Sequence, residues 1–369
     1  MTLDERLGTW LQLTTIFHII MNSRRRFLKA AGASAASAPW FPNIIAANKT
    51  NSKLAVVGEG EYRYECHHAW GAIPEHIKWN DTHGTAVDSE GLVYIKHRGS
   101  GNEPMDTIVV FEPETGKFVR SFGKAYWGGG HGIDIRKDGD QEFLYICDTR
   151  HGVVAKMTLR GEQVWAMSFP EASGFYASEK SNFSPTNVAF SPDGGFYVAD
   201  GYGSDYIHQY DENNQWVRSW GGTGERPGTM KTPHSIWLDD RPGRDPSLVV
   251  ADRANARLQY FTLEGAFKNF VEEVSFPADF DTQGDVLLVP DLHARITLFD
   301  KYNKVITHLG YSQEWTDKAL DNFKMRSTPS MWEDGRFVHP HDACFDKAGN
   351  IYVAEWVAAG RVSFLKKLN

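Results

Sequence analysis

The chain has 369 residues, of which 41% are hydrophobic, 13% aromatic and 23% charged, with a mean hydropathy of −0.44. This excludes both a disordered chain and a multi-span membrane protein. A net charge of −8 leaves no basic stripe for a nucleic-acid partner. The three cysteines, Cys66, Cys147 and Cys344, lack CxxC spacing, which argues against a thiolate zinc site or a disulfide framework and leaves open one bridge plus one free thiol.

In chain order, Ser23-Arg24-Arg25-Arg26-Phe27-Leu28-Lys29 precedes a small-residue run from Ala30 to Ala38. A charged start, a weakly apolar stretch and small residues resemble a twin-arginine export signal. Such arginines lie near the true start, so Met21 is the better initiator and Thr2 to Ile20 reads as an extension. Residues 1–47 are therefore set apart from the fold, and 48–369 are read as one domain working in the periplasm or outside the cell. No later stretch offers ~18 apolar residues, so no transmembrane anchor is expected.

Beyond residue 80 the sequence repeats. Six segments begin at His83, His131, Thr186, His234, Ala278 and His341. Each joins a short β-rich run, a turn often built on Asp-Gly, and a second β-rich run ending in a polar or acidic residue (His97, Asp148, Asp200, Asp252, Asp291, Glu355). Third and fourth runs follow in most, as in Ile207–Tyr210 and Trp216–Trp220. Four strands in roughly 50 residues define a propeller blade, so the expected fold is an all-β, six-bladed propeller of NHL-type repeats. Two intervals carry insertions, Glu171–Ser184 and Tyr311–Arg336, and the second contains a helical stretch, Gln313–Phe323. The sixth repeat ends too early for a fourth strand. Leu54–Tyr64 is expected to supply it and close the ring.

Equivalent positions on innermost strands lie at equal depth around the axis. His131, His234 and His341 occupy such a position in alternate blades, which ~120° spacing turns into a tripod. Three imidazoles with an open fourth position suit a catalytic divalent metal, most commonly zinc. The plainer alternative for each is a hydrogen bond to a neighbouring carbonyl. His83 shares the position in repeat one and reads as a channel-lining neighbour. Just past the second runs come Arg98, Tyr202 and Arg253. Planar, permanently charged guanidiniums grip carboxylates, and a tyrosine beside arginine has its phenolate favoured, suiting a general base. Taken alone, Arg253 could equally pair with Asp252.

Pro185-Thr-Asn-Val through Asp200-Gly-Tyr, Pro233-His-Ser, Ala251-Asp-Arg-Ala-Asn-Ala-Arg-Leu-Gln, Lys96-His-Arg-Gly, His131-Gly-Ile-Asp and Pro340-His-Asp together resemble the peptidyl-α-hydroxyglycine α-amidating lyase family over residues 80–360. The resemblance implies a six-bladed propeller that splits a peptidyl-α-hydroxyglycine into an amide and glyoxylate. It implies zinc on His131, His234 and His341, a catalytic Tyr202, active-site Arg98 and Arg253, and a structural calcium at Asp342 with Thr85 and Ile133. Within that scheme either arginine holds the glycine carboxylate, and Arg98 lies near enough to Tyr202 to stabilise its phenolate. Departures are visible. Gly203, Val249 and Tyr260 stand where the family has disulfide cysteines, and His339 stands where it has an apolar residue. The family's copper hydroxylase domain has no counterpart in these 369 residues, which implies a separate hydroxylase. Two other readings remain: a non-catalytic NHL propeller binding a partner protein, and a calcium-dependent hydrolase or lactonase, for which the central position holds little acid.

Overall fold

The computed structural model describes residues 54–176 and 183–369. The Arg24-Arg25 segment and the expected boundary near residue 47 lie outside them. Among the described residues the strands form six antiparallel sheets, five of four strands and one of five. The sheets follow one another along the chain as six blades, opening with Thr82–Val87, Ile133–Asp138, Asn187–Phe190, Pro233–Asp239, Asp281–Gln283 and Pro340–Phe345. The architecture is an all-β, six-bladed propeller.

Strand character follows from position in the blade. Second strands such as Val93–His97, Phe196–Ala199 and Ser247–Asp252 are buried throughout, because neighbouring sheets cover both faces, and they read as continuous apolar runs. Outermost strands such as Gln163–Met167 are partly exposed and alternate. Several tight hairpins share one chemistry: an aspartate carboxylate accepts the backbone N–H groups two and four residues on. Asp88 does so from Glu90 and Leu92, Asp211 from Asn213 and Gln215, and Asp346 from Ala348 and Asn350. These are Asx turns, which fix hairpin geometry without a proline.

The core lies between blades. Ala86, Tyr94 and Val110 of blade 1 pack with Leu144, Ile146 and Met157 of blade 2. Five further clusters repeat the pattern between successive blades, the one joining blade 6 to blade 1 setting Tyr352 and Phe364 against Ile95 and Phe111. Each blade thus buries both faces against its neighbours. The sixth sheet draws on both ends of the described chain. Tyr64–His67 pairs antiparallel with Arg361–Lys367, and Val56–Val57 pairs outside it, so the fourth strand begins where the expected Leu54–Tyr64 run ends, and that run contributes the outer fifth strand.

The second insertion carries a helix at Gln313–Leu320, capped by the Ser312 side chain accepting from Trp315 N–H. It stops short of Phe323 because Asn322 and Phe323 adopt positive φ. Trp315 anchors it against Val338 and Val357. Among the described residues no helix is long and apolar enough to cross a membrane.

Candidate functional site

The innermost strands do more than line the axis. Pairing shifts register between Thr82 and Gly84, between Pro233 and Ile236, and between Pro340 and Asp342. Each irregularity lies at a central histidine. A bulge re-aims side chains, and His131, His234 and His341 converge so that one ring nitrogen from each lies within 4.8 Å of the others. Their ring centroids are 4.4–4.9 Å apart. His83 meets His341 edge-to-face at 4.6 Å but is not one of the three.

Each ligand candidate is held by the blade after its own. His131 Nδ1 meets Thr186 O at 2.5 Å, His234 Nδ1 meets Ala278 O at 2.6 Å, and His341 Nδ1 meets His83 O at 2.7 Å. The acceptors are the residues at the equivalent position of the odd blades. A carbonyl can only accept, so every Nδ1 carries the hydrogen and every Nε2 presents its lone pair. Burial holds all three well below the ordinary histidine pKa, and they are neutral at physiological pH. His131 Nε2 is buried without a partner among the described residues. Three neutral, backbone-oriented imidazoles whose Nε2 atoms present lone pairs form a fitting donor set for a divalent transition ion. The carbonyl bonds that the plainer reading of each histidine foresees are present as well, and they orient the cluster.

The turn after Asp200 delivers Tyr202. Gly201 is required there, because a Cβ would strike the Pro233 carbonyl. Tyr202 Oη lies 3.1 Å from His234 Nε2 and accepts from Arg253 Nη1 at 3.0 Å. Arg253 is 1% exposed. Its Nε donates to Pro277 O, its plane covers the Phe276 ring, and its Nη2 has no partner among the described residues. Burial lowers its pKa to about 10, so it remains a cation. It does not pair with Asp252, whose carboxylate takes Arg257 instead.

Arg98, the other expected active-site arginine, follows the second strand of blade 1. It ion-pairs with Asp81 at 3.5 Å, and Asp81 is shared with Arg326 of the second insertion. Arg326 lies over Trp356, and Phe323 and Trp356 flank His339. His339 is fully buried, gives Nδ1–H to Leu292 O, and leaves Nε2 without a described partner. Sequence reading missed Arg326, because only the fold returns residue 326 to residue 81.

Asp342, Thr85 and Ile133 come together at a cavity of about 170 Å³ that Asp134, Asp279 and Asp281 also line. Asp342 Oδ2 accepts from Thr85 N–H at 2.8 Å. Burial pushes all four carboxyls up, Asp279 and Asp281 to about 7. An oxygen-rich, buried carboxyl set fits a hard cation such as calcium. A signal for the extra acids existed: Asp279 and Asp342 each directly follow an equivalent position, and Asp134 and Asp281 lie three residues after one, which is the same face of a strand.

No family model matches the sequence. The chain is 28% identical over 279 residues to a peptidylglycine alpha-amidating monooxygenase of Rattus norvegicus, covering 74% of this chain and 27% of that protein. It is 26% identical over 293 residues to peptidyl-alpha-hydroxyglycine alpha-amidating lyase 1 of Drosophila melanogaster, covering 73% and 50%. It is 30% identical over 237 residues to NHL repeat-containing protein 3 of Homo sapiens, covering 61% and 65%. The chain thus spans about a quarter of the rat monooxygenase and half of the fly lyase. Among solved structures, a gluconolactonase of Xanthomonas campestris superposes with a TM-score of 0.56 at 11% identity, covering 86% of this chain and 95% of that one. A streptogramin B lyase superposes with a TM-score of 0.53 at 10% identity, covering 84% and 99%. These two share the propeller fold. The sequence relatives place the chain among propeller proteins related to amidating lyases, at modest identity.

Proposed function

We propose that this protein is a zinc-dependent carbon–nitrogen lyase that cleaves an N-acyl- or peptidyl-α-hydroxyglycine into an amide and glyoxylate. The observation that carries the reading is one buried constellation: three neutral histidines with Nε2 available, a phenol 3.1 Å from one of them, and an arginine 3.0 Å from that phenol. A partner-binding propeller gains nothing from burying a guanidinium with a spare N–H group, because desolvation of an unpaired polar group is costly.

His131, His234 and His341 would hold the metal, which supplies Lewis acidity toward the substrate hydroxyl. Arg253 Nη2 is the open donor for the glycine carboxylate. Tyr202 takes the proton from the α-hydroxyl, and Arg253 steadies the charge on its oxygen. The O–H electrons form the aldehyde C=O, the C–N bond breaks, and the amide nitrogen keeps the bonding pair and gains a proton. Arg98, paired with Asp81, is the second active-site arginine of this reading. Asp342, with Thr85 and Ile133, would hold a structural calcium. The proposal includes export through the Ser23–Lys29 segment and a separate hydroxylase that forms the substrate.

The test is glyoxylate release from N-acyl-α-hydroxyglycines by purified protein of measured metal content. Activity that vanishes with a chelator and returns with zinc supports the reading. A metal-loaded protein that releases glyoxylate from none of them refutes it.

A further inference from the structure

In blades 4, 5 and 6 the acid closing the second strand is neutralised by an arginine opening the third: Asp252 with Arg257, Asp291 with Arg295, and Glu355 with Arg361. Blade 3 departs from this. Asp200 is fully buried, and the residue opening its third strand is Tyr206. Among the described residues Asp200 makes no ion pair. Two residues of the first insertion dock there instead. Phe175 stacks on Tyr206 at 4.2 Å, and Tyr176 Oη donates to Asp200 Oδ2 at 2.8 Å.

The hydrogen-bond directions beyond Tyr176 are set by the acceptor at the end. Since Tyr176 gives its hydrogen to the carboxylate, its oxygen accepts from His208 Nε2–H at 2.6 Å. His208 Nδ1 is then an acceptor for Ser219 Oγ–H at 2.7 Å, and Ser219 accepts from Trp216 Nε1–H. Burial lowers the pKa of His208 to about 3, consistent with a neutral ring. The chain runs one way and ends on Asp200.

Asp200 in turn holds the segment that presents Tyr202. Its Oδ2 accepts Ser204 N–H at 2.7 Å and its Oδ1 accepts Ser184 N–H at 2.6 Å. Its carbonyl takes Gly203 and Asp205 N–H, and Tyr202 N–H goes to Ser184 O. Every one of these anchors passes through Asp200 or the residue Asp200 fixes.

We infer that Asp200 and Tyr176 form a positioning pair for Tyr202, in which the ionised Asp200 carboxylate locks the Tyr202 turn and its protonation releases it. Oδ2 already accepts two hydrogen bonds, so adding a proton there displaces one of them. The groups facing Asp200 agree on the direction. Burial dominates, Asp205 adds like charge, burial keeps Tyr176 and Tyr210 as neutral phenols, and His208 is neutral. Together they push the carboxyl up to about 7 despite the bonds from Ser184, Ser204 and Tyr176. The lock is therefore set above neutrality and loosens below it.

This rests on the lyase reading, and two measurements separate the two. Hydrogen exchange of residues 200–206 needs no turnover. Exchange there, corrected for intrinsic rate, is expected to be at least tenfold faster in Tyr176→Phe than in wild type at pH 8. Wild type at pH 6 is expected to approach the variant. For glyoxylate release, removing the Tyr176 hydrogen bond favours the protonated carboxyl, so the acid limb of kcat moves up by about one pH unit with metal content unchanged. In Asp200→Asn the acid limb attributable to this carboxyl is lost. Unchanged exchange in Tyr176→Phe overturns the inference, as does an acid limb that superimposes on wild type. Absence of glyoxylate release by wild type overturns the lyase reading, and the exchange result then decides this one alone.

Discussion

Replacing Arg253 by alanine separates two roles that the structure joins in one side chain. Nη1 donates to Tyr202 and Nη2 is open toward a ligand. A hydrogen bond to a charged group is worth about 1.5–3 kcal/mol. A substrate bearing the glycine carboxylate therefore loses two such bonds, about 3–6 kcal/mol, or roughly 10²–10⁴-fold in kcat/KM. An α-hydroxyglycinamide, whose carboxylate is capped as a neutral amide, loses only the Tyr202 bond, roughly 10–10²-fold and expressed in kcat. The assay is amide-product formation from the matched pair by wild type, Arg253→Ala, Tyr202→Phe and the double variant. Because Arg253 and Tyr202 touch, their effects on the neutral substrate are expected to be non-additive. Equal losses on both substrates would refute the carboxylate role. Strict additivity with Tyr202→Phe would refute the functional contact.

His131→Ala, His234→Ala and His341→Ala should each abolish binding of about one zinc per chain while the circular dichroism of the propeller persists, since blades bury their own faces. Elemental analysis that finds full occupancy in any of them rules out the tripod. Arg98→Ala should cost far less turnover than Arg253→Ala, because Arg98 is already ion-paired with Asp81 and Arg253 donates to Tyr202; kinetics on one substrate compares them directly. Arg241 is a completely buried cation that binds Asp239, Tyr260, Asn303 and the Asp300 carbonyl, tying blade 4 to blade 5. Arg241→Ala leaves the buried Asp239 with only Arg244 and the Tyr260 hydroxyl and should destabilise the fold by up to about 3–5 kcal/mol, read by denaturant titration. A midpoint equal to wild type shows that the ion pair is dispensable.

The blades were legible because a small set of turn chemistries recurs among them. Aspartates such as Asp88 and Asp346 mark hairpins whatever their tertiary surroundings, and continuous apolar second strands can only be buried on both sides. His131, His234 and His341 were legible for the same reason, since a shared place in a repeat becomes a shared height in a ring. What breaks the repeat was opaque. Arg326 and Tyr176 lie on insertions, where no period predicts which blade a side chain returns to. Which arginine reaches Tyr202 was open between Arg98 and Arg253, and Arg253 donates to it. Both follow the end of a second strand, and only the lateral packing of the loops decides which reaches the phenol. The disposition of the N-terminal run shifted by several residues for a similar reason. Tyr64 and Cys66 bury themselves against blades 5 and 6, a preference that strand propensity alone does not register.

The arrangement in which even blades provide imidazoles and odd blades provide the carbonyls that aim them makes the metal position a property of the whole circle. Splaying any seam would move either a ligand or the group that orients it, so no sub-assembly of two or three blades contains a competent site. A metal held there would stabilise by mass action on the closed state alone, behaving as a clasp and not as a local staple. Metal release rates would consequently report breathing of the entire ring, and a lesion on the outer face of one blade could be detected at the axis as faster exchange of the ion.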